Sequence, residues 1–176
     1  MNRNGAIIVL SFFAVIWWIV GASQLPRGSV LISAIGIVIS GVFVAFDRRR
    51  GVQPATREER KRRGRIVGIA SGVEGVAIVA AVNVLVRMGR RDLIAPAVAI
   101  IVGLHFLPLA RWLPARIYYL TAALLVAVGL GGALVQAGPV RILAVGMGAA
   151  AILWLSCAVV LLRAQTERSQ PASGTV

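Results

Sequence analysis

The sequence has little charge for its length and few residues from which a catalytic centre is made. Only 14% of its 176 residues are charged, six are acidic, and there is one histidine and one cysteine. A soluble domain carries about 25% charged residues, so this supply does not cover a surface that faces water. The single cysteine, Cys157, excludes an internal disulfide and a paired-cysteine metal site.

Sequence motifs of common catalytic centres are missing as well. The chain contains no GxxxxGK[ST] phosphate loop, no HExxH zinc helix and no GxSxG nucleophile turn. Its six acidic residues are too few and too dispersed to build a two-metal site. We therefore expect a protein that is not an enzyme and that needs no cofactor and no metal.

Long apolar runs are what the sequence has in quantity. Hydrophobic residues make up 59% of the chain, and the mean hydropathy is +0.87. Because a membrane-spanning helix needs roughly 20 apolar residues, six runs predict spans: 5–23, 29–46, 66–86, 93–110, 117–136 and 142–162. Short loops with Pro and Gly between the runs indicate antiparallel neighbours. The sequence thus predicts an all-α polytopic transmembrane bundle of three antiparallel hairpins over residues 1–163, followed by a disordered tail over 164–176.

The first run resembles a signal peptide, since Arg3 precedes it and small residues follow. Its apolar stretch is longer than that of a typical signal, and Trp17 and Trp18 lie late in it, where aromatic side chains anchor a helix at the interface. We favour a retained helix, with cleavage as the alternative. Trp112, Tyr118 and Tyr119 are assigned to an aromatic belt at the other interface.

Basic residues indicate how the chain is oriented. Of nineteen Lys and Arg, fourteen fall on the side that holds the loop 47–65 and five fall on the other side. Since Lys and Arg accumulate in cytoplasmic loops, we expect both termini to lie in the cytoplasm. We expect the protein to lie in the inner or plasma membrane of the cell. The net charge of +13 would also suit nucleic acid, but the charges flank apolar runs, so no nucleic-acid partner is expected.

The basic loop has order of its own. Thr56 and Glu59 form a capping-box pattern, which predicts that the third helix begins near Arg57. The loop is expected to contact anionic lipid headgroups, with docking of a regulatory partner as the alternative. The residues assigned to the headgroups are Arg48, Arg49, Arg50, Arg60, Lys61, Arg62, Arg63 and Arg65.

Two polar residues inside apolar runs are the candidates for function. Glu74 lies in the third run and His105 in the fourth, and a carboxylate at the bilayer centre must be protonated, paired or open to a polar cavity. At 1.5 Å per residue the two residues lie at similar depths on neighbouring helices, which predicts a hydrogen bond or ion pair. One interpretation is a ligand or proton site, and the other is a polar clamp between the two helices.

Other polar and small residues are assigned to contacts between helices. Asn83 lies nine positions after Glu74, on the opposite side of its helix, and is predicted to form an interhelical hydrogen bond. Gly68 and Gly72 have the GxxxG spacing that lets helix backbones approach. They suit packing within the bundle or a homo-oligomer equally well.

The segment from Asp92 to Ala110, above all Gly103-Leu-His-Phe-Leu-Pro-Leu-Ala110, resembles a stretch of small multi-pass bacterial membrane proteins of uncharacterised function. The resemblance implies a multi-pass inner-membrane protein without catalytic activity. Together these observations predict an integral membrane protein with a structural or partner-binding role. The alternative is a small proton-coupled transporter or channel subunit that uses Glu74 and His105.

Overall fold

A computed structural model describes residues 3–26, 29–49, 56–112, 117–136 and 138–169. These residues form six α-helices, and a short 3-10 turn (Arg91–Leu93) precedes the fourth. The predicted all-α helix bundle is therefore confirmed. The helices are α1 (Arg3–Ala22), α2 (Ser29–Arg49), α3 (Arg57–Arg87), α4 (Ile94–Trp112), α5 (Ile117–Leu134) and α6 (Gly138–Ser169).

Most of these helices have the length and composition of a membrane span. Within the described residues, five are long and apolar enough to cross a bilayer, and Ile7–Ala22 in α1 is a shorter apolar helix. The chain is thus a multi-pass membrane protein. The five spans are Val30–Arg49, Arg57–Arg87, Arg91–Trp112, Ile117–Leu134 and Gly138–Arg163.

Two helices extend beyond their apolar runs. α3 begins at Arg57, as the capping pattern predicts, and the Glu59 amide donates to Thr56 Oγ1 at 3.2 Å. α6 continues to Ser169, so the tail predicted to be disordered from residue 164 is helical over its first six residues. Ala, Gln, Glu and Arg in that stretch are good helix formers, and an established helix extends at little cost. Residues 170–176 lie outside the described part.

The helices pack in the order α2, α1, α6, α5, α4, α3, each against the next. The core lies between α1, α4, α5 and α6, and includes Leu10, Phe106, Leu125 and Leu153. α3 packs mainly against α4, and no residue of its apolar span is buried. We call the end of the bundle where α3 begins and α4 stops the basic end.

Close backbone contacts bind the packed helices together. A Cβ on Gly146 of α6 would lie 2.5 Å from the Gly21 nitrogen of α1, and one on Gly103 of α4 would lie 2.9 Å from the Val126 nitrogen of α5. Such approaches exclude any larger side chain, because real Cβ atoms do not come so near to another backbone. These two contacts join α1 to α6 and α4 to α5.

A tight turn reverses the chain between α3 and α4. Gly89 has φ +71°, and the Arg90 amide donates to Leu85 O at 2.8 Å while the Gly89 amide donates to Val86 O at 3.1 Å. This is a Schellman motif, in which glycine takes the left-handed conformation after the last helical turn. The turn sets the register in which α4 returns along α3.

Candidate functional site

Glu74 and His105 meet between α3 and α4. His105 Nδ1 lies 3.5 Å from Glu74 Oε2, and each side chain is 10% exposed. The separation fits an ion pair but exceeds the usual 2.7–3.2 Å of a hydrogen bond. The contact between the two residues that the register predicts is present.

A small cavity adjoins this pair on the inner side of the bundle. Its volume is about 60 Å³, and Ser71, Glu74, His105 and Tyr118 supply its polar lining. One buried water needs roughly 10–15 Å³ and two to four polar partners, so this inner cavity has room for a few waters beside the pair. The apolar lining comes from α1, α3, α4 and α6, for example Val9, Val67, Val102 and Leu153.

An open groove lies on the other side of the pair, facing outward between α3 and α4. Its volume is about 520 Å³, which falls within the roughly 300–1,000 Å³ of small-molecule sites. Glu74 and His105 line this groove as well as the inner cavity. The pair therefore separates the bundle interior from the α3–α4 groove, which is lined otherwise by Ile66, Ile69, Ala70, Val73, Ala77, Ile101, Leu104, Pro108 and Trp112.

Asn83 does not join the pair, and its predicted interhelical role is corrected. Its side-chain amide donates to Val79 O at 2.8 Å, one turn earlier in α3 itself, and the residue is exposed. The reason is the packing of α3, because the face that carries Asn83 points away from α4. A side-chain amide in this position donates to a backbone carbonyl of its own helix instead of to another helix.

The headgroup residues whose side chains are described lie exposed at the basic end. Arg48 and Arg49 end α2, while Lys61, Arg62 and Arg65 lie in the first turns of α3. Arg60 and Arg63 belong to the same turns of α3, but their side chains fall outside the described part, as does all of Arg50. Contact of this set with anionic lipid stays a prediction.

A second polar cluster, which was not predicted from the sequence, joins α1, α2 and α6. Trp154 Nε1 donates to Ser40 Oγ at 2.9 Å, and Ser40 Oγ donates to Ser11 O at 3.1 Å. Ser11 Oγ lies 3.7 Å from Cys157 Sγ. Buried polar side chains in an apolar helix need such partners. Isolated serines within the apolar runs are therefore the sequence feature that could have indicated this cluster.

The two tryptophans of α1 belong to this packed region, and their role as an interfacial anchor stays a prediction. Trp17 is buried, and Trp18 Nε1 donates to Ile32 O at 2.6 Å. The Trp18 ring also lies 5.0 Å from that of Trp154, centroid to centroid. α2 leaves room for the indole because Gly36 has no side chain where Trp18 packs.

An ion pair closes the end of the bundle opposite the basic end. Arg141 of α6 donates to an Asp92 carboxylate oxygen and, through Nε, to Val135 O at 2.8 Å. Its side chain is 6% exposed. The same carboxylate lies 3.5 Å from Arg90, which is largely exposed. Arg141 thus links the turn before α4 to the connection between α5 and α6.

No protein-family model matches the chain, and neither curated proteins nor solved structures give a match.

Proposed function

We propose that this protein is a non-enzymatic helix bundle of a bacterial inner membrane, in which the Glu74–His105 pair fastens α3 to the packed helices. In that position α3 offers its open face to lipid or to a protein partner. The observation that carries the proposal is the Glu74–His105 contact at 3.5 Å on a helix whose apolar span contains no buried residue.

The pair matters because α3 buries none of its apolar residues fully, and Val67, Ala70 and Ile78 are only partly buried against the core. Lipid surrounds apolar side chains as readily as another helix does, so helices in a bilayer associate through close packing and polar contacts. The glycines of α3 make no close contact with another helix within the described residues. A polar pair in a medium of low dielectric constant is then a large share of what holds α3 against α4.

A double-mutant cycle tests this role. We expect Glu74→Gln and His105→Gln each to destabilise the bundle by roughly 1 kcal/mol, within the range measured for polar contacts between membrane helices. The double variant should lose less than the sum, since the two residues share one interaction. Thermal unfolding of the full chain in detergent measures all three variants.

Asn83→Leu is the matched control, because Asn83 is a polar residue of α3 that bonds its own helix. It should leave the unfolding temperature unchanged. Strictly additive effects of Glu74→Gln and His105→Gln would show that the two side chains do not depend on each other, and the fastening role would be abandoned.

A proton-coupled transporter or channel subunit is the second candidate. The specific observation in its favour is that Glu74 and His105 line both the inner cavity and the α3–α4 groove, so that a proton exchanged by the pair has space on either side. Midplane polar sites are typical of transporters. Liposomes that contain the parent chain should then pass protons, and Glu74→Gln should abolish the flux while Asn83→Leu preserves it. A parent chain that leaves proton flux at the level of empty liposomes would eliminate this candidate alone.

The cytoplasmic placement of the basic end follows from the count of Lys and Arg. A single cysteine in the loop 47–65, introduced into a Cys157→Ala background, should react with a membrane-impermeant maleimide only after the cells are opened. Labelling of that cysteine in intact cells would invert the proposed topology.

A further inference from the structure

The α3–α4 groove continues into a charged crevice at the basic end. Ile66 and Trp112 line both spaces. The crevice has a volume of about 490 Å³, and its polar lining comes from Glu58, Lys61, Arg62 and Arg65. Three cations against one carboxylate leave it with a net positive charge. The two spaces form one path that is cationic at the interface and apolar below it.

The length of the apolar part matches one leaflet. Along α3 the groove runs from Ile66 to Ala77, which is about 16 Å at 1.5 Å per residue. Half of a hydrocarbon core about 30 Å thick is about 15 Å. An acyl chain that enters at the basic end would therefore reach the bilayer midplane where the groove ends.

We propose that this path is a binding site for one anionic phospholipid. The phosphate lies in the crevice against Lys61, Arg62 and Arg65, and one acyl chain lies along the α3–α4 groove beside Glu74 and His105. Arginine suits this role because its guanidinium donates two parallel hydrogen bonds to phosphate oxygens. The exposed Trp112 lies where the crevice meets the groove, at the depth that tryptophan prefers in membranes. The inference rests on the proposed placement of the basic end at a membrane surface.

Charge favours lipid over a second copy of the chain as the occupant. A second copy brings the same cations to the crevice, and like charges repel. A phosphodiester brings a negative charge to the cations and an apolar chain to the groove. In a phospholipid the phosphate and the acyl chain adjoin, as the polar crevice and the apolar groove adjoin at Ile66.

Native mass spectrometry of the full chain in detergent, with phosphatidylglycerol or phosphatidylcholine added, tests the site. We expect one phosphatidylglycerol to remain bound, with about tenfold preference over phosphatidylcholine. Replacing Lys61, Arg62 and Arg65 together by Gln should remove that preference, because each basic residue near the membrane surface adds to the attraction of anionic lipid.

The matched charge control replaces Arg87, Arg91 and Arg163 by Gln, three exposed basic residues that do not line the crevice. It should keep the preference. Equal losses in the two triple variants would mean that only overall charge attracts lipid, and the site would be rejected.

A matched pair of valines tests the groove. Val73→Trp fills it, whereas Val76→Trp places the same indole on an exposed part of α3 that does not line it. Val73→Trp should lower binding of phosphatidylglycerol about tenfold, and Val76→Trp should not change it. Equal binding by the two variants would refute an acyl chain in the groove.

The outcomes separate this site from the fastening role of the pair. If the Glu74–His105 cycle is additive while the lipid preference persists, only the fastening role is lost. If the cycle shows coupling but phosphatidylglycerol and phosphatidylcholine bind equally, only the lipid site is lost. Dimers without bound lipid, formed by the parent chain and abolished by Val73→Trp, would assign the groove to a second copy and overturn the proposal.

Discussion

Glycine has opposite surroundings in α3 and in the packed helices. Gly68, Gly72 and Gly75 of α3 have no atom of another helix within 4 Å of where a Cβ would lie. Gly146 of α6 and Gly103 of α4 lie against backbone of a neighbouring helix. The GxxxG spacing is present in α3, but within the described residues the close approach occurs elsewhere.

Small residues therefore permit close contact between helices but do not determine where it occurs. Close approach needs a small residue or bare backbone on both sides, as Gly21 offers to Gly146. α3 meets α4 through side chains instead, and a groove and a polar pair lie between them. A homo-oligomer through the open face of α3 stays a prediction.

The largest difference is expected when one methyl group is added to a packed glycine of α6 and to an open glycine of α3. Gly146→Ala should destabilise the protein by about 3 kcal/mol or more, because overpacking against rigid backbone costs at the upper end of the usual range. Gly72→Ala should leave stability unchanged or slightly raised, since alanine favours helix over glycine. Thermal unfolding in detergent compares them, and equal effects would contradict the packing described.

The ion pair opposite the basic end provides a second contrast. Arg141→Met should cost about 2 kcal/mol, because it leaves Val135 O and one side of Asp92 without a donor. Arg90→Met removes an exposed partner of the same carboxylate and should cost less than about 1 kcal/mol. Denaturation curves that rank the two variants the other way would show that Arg141 is not the structural partner.

The polar cluster of α1, α2 and α6 should give a smaller effect. Trp154→Phe removes the donor to Ser40 Oγ, and such bonds between membrane helices contribute about 0.6 kcal/mol on average. Trp112→Phe, on an exposed tryptophan, should not alter the unfolding temperature. Identical curves for the parent and Trp154→Phe would mean that the cluster adds nothing to stability.

The smallest effect on the stability of the whole bundle is expected at the start of α3. Thr56→Ala removes the acceptor for the Glu59 amide and should weaken the first turns by about 1 kcal/mol. Hydrogen exchange should accelerate over residues 57–65 while the unfolding temperature stays constant, because these turns lie outside the packed core. A drop in the unfolding temperature would place this end of α3 within the cooperative unit.

The helices and the candidate pair could be predicted from the sequence because each follows from the number of residues along an apolar run. Apolar runs near 20 residues mark spans, and equal depth on neighbouring helices brings Glu74 to His105. Thr56 and Glu59 likewise located the start of α3, since a cap is a local pattern.

Contacts between distant helices could not be predicted in this way. Trp154 contacts Ser40 and Cys157 contacts Ser11. The sequence of an apolar run does not indicate which other helix will pack against it. The contacts of Trp18 could not be predicted for the same reason, since its place depends on the space above Gly36 in α2. Tyr118, expected in an aromatic belt, is buried instead, whereas Trp112 and Tyr119 are exposed.

The backbone contact of Gly21 with Gly146 has a consequence for how the chain is made. α1 is translated before α6, yet α6 is a main partner of α1. About 115 residues lie between them, which takes roughly 6–23 s to translate at 5–20 residues per second. During that interval the α6-facing side of the α1–α2 hairpin is uncovered, so the bundle cannot close until α6 has been made.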